Sequence, residues 1–350
     1  MGVVYVLEDG YLAKDGGTLK VSKRGPGGGE TLLEKPLIGV EEIVVLGNAV
    51  VTPALLKHCA EENIGLHYVS TGGRYFAGLT RTPAKNAPAR VAQFAAHLDP
   101  TRKLALARRF VLGKLRNGQH RRRARSPHQL ARRFVLGKLR NSLTLLRRNG
   151  AEGWEEIRWA IGELDKAADE GALRGLEGNA ADVYFRSYAA LLPEGFRFSE
   201  RSRRPPRDPA NSLLSLAYTF LAKECESALQ VAGLDPYVGY LHEVRYGRAS
   251  LALDLMEEFR SILADSVVLS LLNNRRLTLE DFDDAEGYPK LRKESFPKFL
   301  RAWEERLTDR VRHPLLGKAY SYRQTVLVQA RVLVKHLMGE LPAYEPFTVR

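Results

Sequence analysis

The stretch GLDPYVGYLHEVRYGRASLALDLMEEFR, residues 233–260, sets His242 just ahead of a helix and places Asp254, Glu257 and Glu258 inside it. From Ser250 onward Leu251, Leu255, Met256, Phe259, Ile262, Leu263, Val267 and Leu271 recur at steps of three and four, the period of a helix packed in a core. Acids at i, i+3 and i+4 then fall on one face. A carboxylate among so many apolar side chains must pair with a cation, bind a metal or take up a proton, because an unpaired buried charge is expensive. Imidazole with carboxylates suits a divalent ion such as Mn²⁺ or Mg²⁺. The same spacing also fits a structural histidine beside a solvated acidic face.

Working outward, 350 residues are enough for two domains, and the formal charge of +13 is unevenly placed. Residues 101–150 hold sixteen Lys or Arg and no Asp or Glu, so the rest of the chain is slightly acidic. Such a concentration attracts a polyanion, nucleic acid first and an anionic membrane surface second. Only two cysteines occur, Cys59 and Cys225, which excludes a disulfide framework and a cysteine-based zinc site and fits the cytoplasm. The N-terminus opens as a strand rather than as a charged and apolar leader, and no apolar run has the length of a membrane-spanning helix.

Before residue 80 the pattern is β-rich. VVYVLE at 3–8, TLKVSK at 18–23, TLLEKP at 31–36 and EEIVVLG at 41–47 are separated by turn signals, while Val50 to Asn63 reads as one helix. IGLHYVS at 64–70 and RYFAGLT at 74–80 are joined by Gly72-Gly73, a hairpin signal. The expectation is a small, mostly antiparallel β domain over residues 1–80. The glycines at 25–29 lack the Lys-Ser/Thr of a phosphate loop and read as a turn. RTPAKNAPAR at 81–90 has two prolines and no apolar period, so residues 81–95 are expected to be a linker and 96–350 a helical domain.

Within that domain LARRFVLGKLRN at 106–117 recurs identically at 130–141, a local duplication of a basic, amphipathic segment. GLEGNAADVYF at 175–185 places Glu177 among glycine, alanine and aromatics, and RFSERSRRPPRDPANSLLSLAYTFL at 197–221 passes from a basic loop into a helix near Pro209. Arg201, Arg203, Arg204 and Arg207 on that loop read equally as phosphate contacts or as a solvated surface. Helices are expected over 296–307 and 320–339, with His313-Pro314 between them, and His313 and His336 read as structural.

Taken together, GLEGNAADVYF, DPANSLLSLAYTFL, the 233–260 stretch and QARVLVKHLMGELPAYEPF at 329–347 resemble the CRISPR-associated endonuclease and integrase of spacer acquisition over nearly the whole chain. The resemblance implies an α+β protein, a small β domain followed by a large all-helical catalytic domain. It implies a divalent ion, Mg²⁺ or Mn²⁺, held by Glu177, His242 and Glu257, with Asp254 as auxiliary acid. It implies as partners double-stranded DNA (prespacer and CRISPR repeat), a second copy in a homodimer, and the small second protein of the acquisition pair, with no membrane. One basic segment rather than two would match the family, so the second copy within 106–141 is a departure.

The chemistry this implies is phosphodiester transesterification by a DNA 3′-hydroxyl, or endonucleolytic cleavage when water attacks. Arg245 and Arg248, close to His242, suit a phosphate clamp, with an ion pair to Glu243 or Asp254 as the other reading. Two other functions share these features. A branched-DNA repair nuclease would use the same site, and a non-catalytic nucleic-acid scaffold would need only the basic run.

Overall fold

The computed structural model describes residues 2–23, 29–46, 48–69, 75–79, 86–99, 101–102, 145–146, 149–151, 155–156, 159, 163, 170–240, 242, 244–284, 287–342, 344–345, 347 and 349, with backbone alone for 75 and 170–177. The duplicated segment at 106–141 lies outside them, as does most of the helix expected at 153–172. The chain divides into two units, residues 1–82 with 290–296, and residues 83–289 with 297–350.

The first unit holds two four-stranded sheets built from β1 (Gly2–Val6), β2 (Gly10–Asp15), β3 (Thr18–Ser22), β4 (Thr31–Pro36), β5 (Val40–Val45), β6 (Ala49–Val51), β7 (Gly65–Val69) and β8 (Tyr75–Leu79). Their orders are β1-β5-β7-β8 and β4-β3-β2-β6. The expectation of a mostly antiparallel domain is corrected. Among the described residues β1 with β5, β5 with β7 and β2 with β6 pair parallel, and β7–β8, β2–β3 and β3–β4 pair antiparallel. Parallel neighbours need a crossover rather than a tight turn, and α1 (Pro53–Glu61) supplies it between β5 and β7. Val50 and Val51, read with the helix, belong to β6, because Pro53 at the first helical turn starts the helix behind them. Val6, Leu12, Leu19, Val21, Ile43, Val45, Leu55, Cys59 and Leu66 close the core between these elements. Lys293 pairs with Asp9 at 2.8 Å, which ties the late segment to the β unit.

The second unit is mostly helical: α2 (Ala87–Leu98), α3 (Glu170–Ala190), α4 (Pro209–Ala232), α5 (Ser250–Met256), α6 (Ser266–Asn273), α7 (Phe296–Thr308) and α8 (Tyr322–Leu337). The expected linker at 81–95 is a helix from Ala87 onward. Pro88 sits in its first turn, where no N–H is missed, and the Asn86 side chain accepts from Ala89 N. α4 is the axis: Asp208 caps its start by accepting from Asn211 N at 2.8 Å, and Gly233 ends it at φ 88°. Leu213, Leu214, Ala217, Leu221, Cys225 and Leu229 are fully buried along it, and α5, α6 and α8 pack there.

The expected all-helical domain also needs correcting, because β9 (Arg310–Arg312) and β10 (Ala319–Ser321) form an antiparallel hairpin. His313 N donates to Lys318 O at 2.8 Å and Gly317 N to His313 O at 2.8 Å, so the Pro314 break is closed by a hydrogen-bonded turn. The helix read as continuous from Ser250 is interrupted as well. α5 ends at Met256, and a π-helical segment, Arg260–Asp265, precedes α6.

Candidate metal and nucleic-acid site

The loop between α4 and α5 carries His242, and a carboxylate on α5 organises it. Asp254 is wholly buried, and its Oδ2 accepts from Tyr240 N at 2.6 Å. Its Oδ1 accepts from His242 N at 2.8 Å and faces His242 Nδ1 at 2.7 Å. A carboxylate can only accept, so Nδ1 carries the proton and Nε2 is the nitrogen with a lone pair to offer. About a quarter of the imidazole remains accessible (24%). Gly239 lets the loop come this close, because a Cβ there would lie 2.8 Å from Ser250 C and 2.9 Å from Asp254 Oδ2.

α2 grips the same loop from the other side. Gln93, fully buried, donates to Asp235 O at 2.7 Å and Val238 O at 3.2 Å and accepts from Asp235 N at 2.8 Å. Tyr240 OH donates to Gln93 O at 3.1 Å, and His97 Nδ1 lies 2.9 Å from Gly239 O. The sequence reading missed Gln93 and His97. The available signal was Ala89, Gln93 and Ala96 on one helical face of ARVAQFAAHL, hidden by treating the stretch as linker.

Glu257 and Glu258 part company. Glu257, just after α5, is 5% exposed, and its Oε1 accepts from Arg260 Nη1 at 2.9 Å. Glu258 accepts from Gln329 Nε2 at 2.8 Å, Tyr344 OH at 2.5 Å and Phe347 N at 2.7 Å, holding the C-terminal segment against the core. Burial pushes its carboxyl up to about 8, against the downward pull of those three donors. The expectation that all three acids share one face therefore fails at Glu258. The α-helical register stops at Met256, and the next turn is tighter. Glu257 N, Glu258 N and Phe259 N each donate three residues back, to Asp254 O at 3.3 Å, Leu255 O at 3.2 Å and Met256 O at 2.9 Å, which turns Glu258 toward the C-terminal segment.

Arg260 is largely but not wholly buried, and its guanidinium lies 4.3 Å from the centre of the Tyr218 ring. Burial disfavours its charge, but Glu257, Tyr218 and Asp265 outweigh that and raise its pKa. Tyr218 OH donates to Asp265 Oδ1 at 2.5 Å, Tyr184 OH to Asp265 Oδ2 at 2.7 Å, and Tyr188 OH to the Asp265 carbonyl at 2.9 Å. Glu177 falls on α3 two turns before Tyr184; its side chain lies outside the described residues, among which no three His, Cys, Asp or Glu converge into a complete metal shell. The donor chemistry of the described pair fits a divalent ion: an oriented imidazole nitrogen and a nearly buried carboxylate on neighbouring segments.

The basic residues divide. Arg201 is built into the fold, donating to Asn211 Oδ1 at 2.7 Å and Ser215 Oγ at 3.1 Å, and exposed Arg207 pairs with Glu200 at 2.6 Å. Arg203, Arg204 and Arg245 are exposed and Arg248 is half-buried.

The family model described as CRISPR associated protein Cas1 matches residues 4–126 and 118–305. The chain belongs to the Cas1 family. It is 71% identical over 351 residues to CRISPR-associated endonuclease Cas1 3 of Thermus thermophilus, covering 100% of this chain and 98% of that protein. Among solved structures it is similar in fold to a casposase bound to integration product, with TM-score 0.80 and 22% identity over 99% of this chain and 93% of that one. A chain of the Cas6-RT-Cas1–Cas2 complex is similar too, with TM-score 0.74 and 22% identity over 100% of this chain and 36% of that one.

Proposed function

We propose that this Cas1-family chain is a divalent-metal-dependent DNA endonuclease and integrase that inserts short DNA fragments into a CRISPR array by transesterification. Membership of the family and 71% identity to a Cas1 endonuclease support the activity, and the observation that carries the site is the His242 Nδ1 contact to Asp254 Oδ1 at 2.7 Å, with Asp254 three residues before Glu257 in the sequence. Glu177, His242 and Glu257 would hold the ion. When bound, Mg²⁺ or Mn²⁺ supplies Lewis-acid charge at a non-bridging phosphate oxygen and at the developing alkoxide.

The chain's own residues do the rest. Asp254 fixes the imidazole tautomer and the loop backbone, so His242 presents Nε2 without reorganising. Arg260 holds Glu257 in one rotamer. Arg245 and Arg248 flank the loop where planar guanidinium groups can grip phosphates, and Arg203 and Arg204 extend the basic surface. In the displacement the DNA 3′-hydroxyl attacks phosphorus in line, the repeat's 3′ oxygen leaves, and one phosphodiester bond replaces another; water as attacking group gives cleavage.

The assembly we infer is a homodimer working with the small second protein of the acquisition pair. The Cas6-RT-Cas1–Cas2 complex, one of whose chains has this fold, supports that partner. A cytoplasmic location fits the two buried free cysteines and the finding that no helix among the described residues is long and apolar enough to cross a membrane.

The test is joining of short duplexes into a supercoiled repeat-bearing plasmid, with and without the partner, in Mg²⁺ and in Mn²⁺. Glu177→Ala, His242→Ala and Glu257→Ala should abolish joining while duplex binding persists. Cutting of forks and junctions without joining would instead favour a branched-DNA repair nuclease.

A further inference from the structure

Asp265 is buried at the end of the π-helical segment, yet it collects three tyrosine hydroxyls from two helices: Tyr184 and Tyr188 of α3 and Tyr218 of α4. A buried carboxylate is a costly way to join helices, since apolar packing of similar volume is often at least as stable. What it adds is direction. On α3, Tyr184 OH on Oδ2 and Tyr188 OH on the backbone carbonyl, one turn apart, fix the rotation and axial register of that helix against the π segment, while Tyr218 of α4 takes Oδ1. A slip of one turn along α3 would carry position 177 by about 5.4 Å.

The same residue reaches Glu257 by a second route. Tyr218, held by Asp265 Oδ1 at 2.5 Å, presents its ring face to Arg260 at 4.3 Å, and Arg260 donates to Glu257 Oε1 at 2.9 Å. The π segment makes this possible, because its wider turn carries Arg260 and Asp265, five residues apart, to the same tyrosine.

We propose that Asp265 is a positioning residue of the reaction centre, one carboxylate that sets both the helix carrying Glu177 and the guanidinium that orients Glu257. The proposal rests on the assignment of Glu177, His242 and Glu257 as metal ligands. Asp265 touches neither DNA nor ion. Its effect is to keep two ligand-bearing elements within the few tenths of an ångström that a metal shell tolerates.

The experiment is Mn²⁺ titration of the full chain, followed by the electron paramagnetic resonance signal of free Mn²⁺, with steady-state strand joining and thermal unfolding run in parallel. Asp265→Asn preserves shape and removes one acceptor. It should weaken Mn²⁺ binding about tenfold and lower kcat for joining about 10- to 100-fold, with KM for DNA within about twofold. Tyr184→Phe, which removes one donor and nothing else, should shift both readouts in the same direction by less, and it carries the test if Asp265→Asn does not fold. Variants that melt earlier but bind Mn²⁺ with unchanged affinity would reduce Asp265 to a fold-stabilising residue and overturn the proposal. Wild-type protein that takes up no Mn²⁺ would bring down the metal-site reading and this inference with it, whereas normal wild-type uptake with unaltered variants would bring down the positioning role alone.

Discussion

Asp254 Oδ1 lies 2.7 Å from His242 Nδ1 while its Oδ2 lies 2.6 Å from Tyr240 N, so one wholly buried carboxylate holds both the ring and the backbone of the histidine loop. Asp254→Asn should keep duplex binding and lower metal affinity and joining by about 10- to 100-fold. An amide can offer its oxygen or its NH₂ to Nδ1, and only the oxygen preserves the tautomer. Parallel titrations of Mn²⁺ and of DNA on the same preparation separate the two effects; equal loss in both would contradict the orienting role.

Gly239 is set by space. Gly239→Ala would drive a methyl against Ser250 and Asp254 Oδ2, atoms that belong to α5 and to the histidine anchor. Joining should fall by at least tenfold and the melting temperature by several degrees, the cost of overpacking a tight contact being about 1–3 kcal/mol. Differential scanning calorimetry with an integration assay checks this, and a wild-type profile in both would show the loop to be more yielding than its geometry.

Gln93 holds up a loop 142 residues away in sequence. Gln93→Leu keeps the volume roughly constant but strands Asp235 N–H and two carbonyls, at about 1–3 kcal/mol for each group left unsatisfied. The urea midpoint should drop, and amide exchange at 235–240 should accelerate before exchange along α4 does. Uniform acceleration across both segments would count against a local role.

Burial holds the His313 imidazole below its usual 6.5, only partly offset by its hydrogen bond to Gln329 at 2.9 Å. The unfolded chain therefore takes up this proton first, so the contribution is fully present above pH about 6.5 and is lost as pH falls toward the lowered folded value. Glu258, linked through Gln329, has its folded pKa raised to about 8 and works in the opposite sense. The clean measurement is thus the difference in unfolding free energy between wild type and His313→Gln. That difference should shift in the variant's favour between pH 7.5 and pH 5.5, by up to about 1.4 kcal/mol per pH unit. A pH-independent difference would mean that His313 does not titrate in this range.

Arginines of one loop should divide by function. Arg203→Ala and Arg204→Ala, at exposed positions, should weaken duplex binding and reduce the slope of log K against log salt by about one each. Arg201→Ala, which breaks contacts to Asn211 and Ser215, should lower the melting temperature instead. Salt titration of DNA binding beside thermal unfolding distinguishes the classes, and an Arg201 variant that lost only DNA affinity would reverse the assignment.

Periodicity and capping chemistry are local, and they made several elements legible: the start of α4 at Pro209 behind Asp208, the helical face beginning at Leu251, and the glycine-punctuated β unit. The family resemblance, rather than spacing alone, pointed to Glu177, His242, Asp254 and Glu257, and no local pattern says whether they meet. Strand direction in the first unit was not legible, because β1, β5 and β7 become neighbours only through a crossover, and nothing in a single strand's alternation says which way its partner runs.

The residue types, their charge and the helical and strand-forming stretches were determined by the sequence itself, since each depends on side chains within a few positions of one another. Tertiary structure decided that Asp254 turns to His242, that Glu257 is held by Arg260, and that Glu258 faces away to the C-terminal segment. The physical reason is a change of helical pitch between Met256 and Asp265, tight over 257–259 and π-helical over Arg260–Asp265, held by tyrosines of α3 and α4 and by the C-terminal segment, which come to it from 47 to 89 residues away in sequence. No local period encodes that rotation.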